Sequence, residues 1–276
     1  TPDGLVPLPI LGLEVRLEVT GILVHGVVTQ TFLNPTPDVI ECVYVFPLPE
    51  RAAVHRMEMR IGERRIVSVI REKEEAKEIY QQARQEGKKA ALLEQERPNL
   101  FTTSAANVNP GESVEIVLDY LQEIDYRDGE FGLTVPLTFT PRFLTDAAGD
   151  ADRIRGPLAR PGSPAFPRAD LEVRIHTGAP IETVTSASHP IRTHWDGDAL
   201  VVEPEGKSVA ADRDFQVTWR PLLAGEPRAS LFLEDRPEGR YALAMLLPPL
   251  EDVGTGRGLP TETLFVIDVS GSMAGP

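Results

Sequence analysis

Period-two alternation of apolar and polar residues recurs from one end of this chain to the other, broken every ten residues or so by glycine and proline. Leu13, Val15, Leu17 and Val19 alternate with Glu14, Arg16, Glu18 and Thr20. Side chains two apart share one face of a strand, so this is a strand with one face buried. Residues 27–33 and 39–46 repeat the pattern, separated by the Asn34-Pro35-Thr36-Pro37 turn and ended by Pro47-Leu48-Pro49, because proline removes a ladder donor. Residues 54–61 and 65–70 read as a hairpin about Gly62-Glu63. Such a chain folds mainly as β-sheet.

The alternation stops at Arg71. Residues 72–94 are proline-free, with Ala76, Ile79, Tyr80 and Ala83 at helical spacing and seven acidic residues set against seven basic ones between 71 and 97. The expectation is one solvated amphipathic helix, weakened or divided at Gly87 and stopped by Pro98. Its exposed face is a possible docking surface. Strands resume with Val114, Ile116, Leu118 and Tyr120, and Asp128-Gly129 makes a tight turn into residues 131–139. Residues 145–168 lack periodicity and read as a long surface loop. Strands follow at 171–175, 181–184, 193–195, 200–202, 215–219, 230–233 and 241–247, at roughly the spacing of a β-sandwich. Residues 248–262, with Gly254, Gly256 and Gly258, read as a linker.

The 276 residues are 41% hydrophobic, enough for one large or two modest cores. The net charge of -14 repels phosphate backbones and makes nucleic acid an unfavourable partner, while it suits solubility and attraction of divalent cations. A single cysteine, Cys42, excludes an internal disulfide and reads as a small core residue on a strand. No apolar run reaches the roughly 18 residues of a membrane span. No signal peptide is visible in a chain that starts at Thr1.

The end of the sequence carries the most specific chemistry. Phe265-Val266-Ile267 runs into Asp268-Val269-Ser270-Gly271-Ser272. An apolar strand ending in Asp-x-Ser-x-Ser is how a buried parallel strand ends when a metal ion sits at its carboxyl end. Other constellations are bland. The five histidines, His25, His55, His176, His189 and His194, contain no i, i+4 ligand pair. No Gly-x-Ser-x-Gly elbow supports Ser270 or Ser272 as a nucleophile, and no phosphate loop is present. Trp195 and Trp219 sit on strand segments and are expected in the sandwich core.

Several strings together resemble the vault/inter-alpha-trypsin (VIT) family. They are Thr31-Phe32-Leu33-Asn34-Pro35, Val43-Tyr44-Val45-Phe46-Pro47-Leu48-Pro49, Glu75-Ala76-Lys77-Glu78-Ile79-Tyr80, Ala90-Ala91-Leu92-Leu93-Glu94, Pro98-Asn99-Leu100-Phe101-Thr102, Ala106-Asn107-Val108 and Pro110-Gly111-Glu112. The resemblance implies a VIT domain over residues 1–140, a β-rich region at 141–247 continuing the platform, the linker at 248–262, and the start of a von Willebrand factor A domain at 263–276. The fold class expected is mainly β: an antiparallel, sandwich-like platform with one inserted helix, further strands, and the first strand of an incomplete α/β domain.

By that resemblance, Ser270 and Ser272 would coordinate Mg²⁺ or Ca²⁺ through their hydroxyls in a metal ion-dependent adhesion site. Asp268 would supply charge through a bound water. The site would capture an acidic side chain of a protein ligand. The later Thr and Asp ligands of the family lie beyond Pro276, so the 276-residue chain is expected to hold no Mg²⁺ in the micromolar range. Its last residues are expected to be poorly ordered or to borrow a sheet edge. The role implied is non-enzymatic adhesion or assembly, extracytoplasmic or secreted by likeness to inter-alpha-trypsin inhibitor heavy chains. The alternatives are a free-standing β-sandwich binding module that needs no metal, a serine or metal-dependent hydrolase, and a cytoplasmic location.

Overall fold

A computed structural model describes residues 10–62, 64–68, 73–97, 100–137, 167–223 and 227–248. The loop expected at 145–168 and the linker expected at 248–262 fall outside these residues in all but their outermost positions, and the segment 263–276 falls outside entirely. The first half of the chain forms β1 (Ile10–Thr20), β2 (Leu23–Leu33), β3 (Ile40–Pro47), β4 (Ala53–Ile61), β5 (Arg64–Val67), α1 (Lys73–Gln85), β6 (Ala90–Arg97), β7 (Leu100–Val108), β8 (Ser113–Glu123), β9 (Asp125–Arg127) and β10 (Glu130–Val135). The second half forms β11 (Arg168–His176), β12 (Ile181–Thr185), β13 (Ile191–Asp196), β14 (Ala199–Pro204), β15 (Ser208–Ala210), β16 (Phe215–Pro221), β17 (Arg228–Arg236) and β18 (Gly239–Leu247). The protein is mainly β, as its alternation predicts.

The strands build four sheets. The largest has nine strands in the order β13-β14-β11-β1-β2-β8-β4-β5, with β15 also paired to β11. Its alternation gives one apolar and one polar face. Val15, Leu17, Val19, Val24, Ile116, Leu118 and Val173 are buried, while Glu14, Arg16 and Glu18 between them are not. A four-stranded sheet (β12-β16-β10-β9) and a three-stranded sheet (β3-β7-β6) contribute Phe131, Leu133, Phe215, Trp219, Phe101 and Ala105 to the same core. The fourth sheet is the hairpin β17-β18. One pairing is parallel: β11 lies beside β1 from Leu13↔Ala169 to Thr20↔His176, joining segments about 155 residues apart. No helix among the described residues is long and apolar enough to cross a membrane.

Local chemistry fixes the turns. Asp128 and Gly129 both take positive φ (53° and 81°), as a two-residue primed hairpin requires, and they join β9 to β10. Gly26 has a different job. It sits opposite Tyr120 in the β2–β8 ladder, and a Cβ there would lie 2.3 Å from the Tyr120 ring.

Two expectations need correction. The helix ends at Gln85, not near Glu94, and residues 90–97 form β6. Gly87 adopts φ 69°, and Lys88 N–H reaches back to Ala83 O at 2.9 Å, a left-handed helix cap that ends α1. The segment after it then pairs with β7. Trp219 is core, stacked on Phe131 at 5.4 Å, but Trp195 is 57% exposed. It lies on β13, the edge strand of the large sheet, which no other strand covers among the described residues.

Candidate interaction surfaces

The residues singled out for metal chemistry, Asp268, Ser270 and Ser272, lie outside the described residues. Cys42 falls on β3 through its backbone. His25 and His55 approach with ring centroids 6.0 Å apart, and His25 lies 3.8 Å from Asp119. His176 bridges Glu18 and Asp198. His189 is buried against Phe215, and burial pushes its pKa below the ordinary histidine value. Among the described residues, no three His, Cys, Asp or Glu side chains are grouped to hold a metal.

A corner of the molecule gathers strings that lie far apart in sequence. Asn34 is fully buried. Its amide donates to Asp38 O at 2.9 Å and Val108 O at 3.0 Å, and its Oδ1 accepts from the Thr36 N–H and hydroxyl. Its backbone exchanges bonds with Gly111 N–H and Glu112 O. Each polar atom of a buried Asn needs such a partner. Next to it, Asn107 takes φ 57° and donates its amide to Arg84 O in the last turn of α1 and to Lys88 O just beyond it, tying β7 to the end of the helix. Lys89 pairs with Glu112 and also donates to Asn107 O.

Asn107 also lines a cleft of about 460 Å³ between α1 and the start of β3, with Val39, Ile40, Glu41, Gln81, Arg84 and Gln85. Tyr80 and Ala76 turn the apolar stripe of α1 onto Leu92, Ala90 and Ala106. From there the Tyr80 hydroxyl donates to Glu41 Oε1 at 2.6 Å, and Arg84 pairs with Glu41 Oε2 at 3.1 Å. Helix and strand are thus clamped by one carboxylate beneath a polar groove. Sequence reasoning missed this site. Its only signal was the amphipathic helix.

The polar face of the large sheet is charge-matched across strands. Glu58 on β4 has a side chain only 3% exposed and receives Arg56 at 2.9 Å and Arg60 and Arg65 at 2.6 Å each. Hydrogen bonds from Arg65 and then Arg60 lower its pKa from the ordinary 4.5 to about 2. Arg60 continues to Glu115 on β8 at 2.7 Å.

The hairpin β17–β18 is the exception to this order. Its inner face rests on two loops. Phe232, Leu243 and Met245 meet Gly21, and Ser230 donates to Gly178 O at 2.8 Å. Both glycines have positive φ, and a Cβ on Gly178 would come within 2.7 Å of Phe232. The other face is apolar and uncovered among the described residues: Leu231 is 62% exposed, Leu233 61% and Leu246 76%, with Ala229, Ala242 and Ala244 as their cross-strand neighbours. Exposed apolar patches of this kind mark contact sites.

Among the described residues these features define a class: a β platform of several sheets with one helix clamped against it and exposed surfaces suited to protein contact. Residues 10–120 match the vault protein inter-alpha-trypsin (VIT) domain family. The chain is 30% identical over 277 residues to mouse (Mus musculus) protein mono-ADP-ribosyltransferase PARP4, covering 98% of this chain and 14% of that protein. It is 23% identical to rat (Rattus norvegicus) von Willebrand factor A domain-containing protein 5A, covering 97% of this chain and 34% of that protein. Human (Homo sapiens) inter-alpha-trypsin inhibitor heavy chain H6 is 30% identical over 129 residues, 45% of this chain and 10% of that protein. The chain therefore spans between a tenth and a third of the length of these relatives. Among solved structures, an M1 zinc metallopeptidase from Deinococcus radiodurans is similar at 12% identity and a TM-score of 0.38, over 92% of this chain and 50% of that one. A likeness that slight carries no argument about activity.

Proposed function

We propose that this chain is a non-enzymatic protein-interaction platform, and that it supports a cation-dependent von Willebrand A unit opened by residues 263–276. In that unit Ser270 and Ser272 coordinate Mg²⁺ or Ca²⁺, Asp268 supplies charge, and an acidic side chain of a protein ligand completes the shell. The role is adhesion or assembly, and the proposed site of action is extracytoplasmic. The observation that carries the reading is the apolar face of β17–β18, uncovered among the described residues, on the hairpin that immediately precedes those residues in sequence. The alignment of a von Willebrand factor A domain-containing protein along 97% of this chain supports it as well.

The test is calorimetric titration with Mg²⁺. The protein at the length its gene encodes binds Mg²⁺, and Ser270→Ala abolishes that binding. The 276-residue chain, without the later ligands, shows no micromolar binding. Ser270-dependent hydrolysis of a generic ester by either protein would replace the platform reading with a hydrolase.

A further inference from the structure

The hairpin β17–β18 is only half used. An isolated two-stranded ribbon is marginal in water, and this one is held by its inner face alone. Its outer face has no cover among the described residues, although Leu231, Leu233 and Leu246 are more than 60% exposed.

The size of that face decides what can cover it. Two strands about 4.8 Å apart, each contributing five residues at about 3.4 Å, give a footprint on the order of 200 Å². Stable association between free proteins buries about 800 Å² per partner. A second copy of this chain docked on this face alone falls well short of that. A tethered occupant does not need so much area, because a short linker holds it at millimolar effective concentration.

The sequence sets that connection short. Only Pro248 and the 14 residues 249–262 separate β18 from Thr263. Fifteen residues can span at most about 50 Å, more than the length of the hairpin face.

We propose that the outer face of β17–β18 is the docking face for the unit that opens at Thr263 in the same polypeptide. The inference rests on the reading that residues 263–276 begin a folded unit, but not on that unit holding a metal. Leu231 and Leu246 are the anchors, and the Gly21 and Gly178 contacts hold the hairpin still beneath them.

Hydroxyl-radical footprinting of the protein at the length its gene encodes tests this. Leu121, 49% exposed on the open face of the large sheet, serves as the internal standard. Leu231 and Leu246 should label several-fold more slowly than Leu121, and the protection should persist on dilution. Leu231→Glu combined with Leu246→Glu should abolish the protection at Leu233 and raise the radius of gyration in X-ray scattering. Labelling of Leu231 and Leu246 at the rate of Leu121 would overturn the proposal. So would protection that disappears on dilution, since a second copy would then be the occupant. Mg²⁺ titration of the same sample separates the two readings. Protection without Mg²⁺ binding sinks the metal site and leaves the docking face, and Mg²⁺ binding without protection does the reverse.

Discussion

The β2–β8 ladder and the β17–β18 hairpin are equally regular as backbone. The first pairs eleven residues in unbroken register from Leu23↔Glu123 to Leu33↔Ser113, the second nine from Arg228↔Leu247 to Arg236↔Gly239. They differ in what the side chains meet. On β2, Val24, Val28 and Phe32 are buried while His25, Thr29 and Thr31 face outward, so the strand is satisfied where it lies. On β17 and β18 both faces are apolar over the inner half, and one is covered. Backbone pairing alone does not make a strand self-sufficient. The requirement is that each apolar face find a partner, and in the hairpin the outer face finds none among the described residues.

The sharpest way to break that contrast is Gly26→Ala. The new methyl would overlap Tyr120 at 2.3–2.7 Å within the β2–β8 ladder. Overpacking a core at this level costs about 3 kcal/mol, so a clear fall in the denaturation midpoint is expected. A neutral result would mean the β2–β8 pair is looser than described.

A smaller effect is expected at Glu58, on the polar face of the same sheet. Its pKa is depressed in the folded protein to about 2. The stabilisation from its arginines is therefore full above the ordinary carboxylate value of 4.5 and is lost as pH falls from there towards 2. Glu58→Gln should lower stability at neutral pH and flatten the stability-versus-pH curve across that acid window. Parallel curves for the variant and the original chain would show that the three arginines do not depend on this carboxylate.

Much of the platform was legible because alternation is a local signal. Leu13 to Val19 and Val114 to Tyr120 each announce a strand and its buried face, and Asp128-Gly129 announces its turn. Ala90-Ala91-Leu92-Leu93-Glu94 was misread because Ala, Leu and Glu favour helix by intrinsic propensity. Pairing with β7 outweighs those few tenths of a kcal/mol per residue once Gly87 has ended the helix. The parallel β1–β11 contact and the cleft of Glu41, Tyr80, Arg84 and Asn107 carry no local pattern, since each brings together residues tens to more than a hundred positions apart. The strings that resemble the VIT family were legible as strings. Their convergence on buried Asn34, through Val108, Gly111 and Glu112, became visible only in three dimensions. Asp268, Ser270 and Ser272 remain a sequence motif, outside the described residues.

The central claim is that the β2–β8 ladder is covered on its apolar face while the outer face of β17–β18 has no cover among the described residues. Amide hydrogen exchange across the 276-residue chain tests it most directly. Residues 24–32 should exchange only through global unfolding, and residues 233–241, exposed along the outer half of the hairpin, should exchange far faster through local opening. Equal protection in the two segments would contradict the account, because the hairpin would then be as self-sufficient as the ladder at the centre of the sheet.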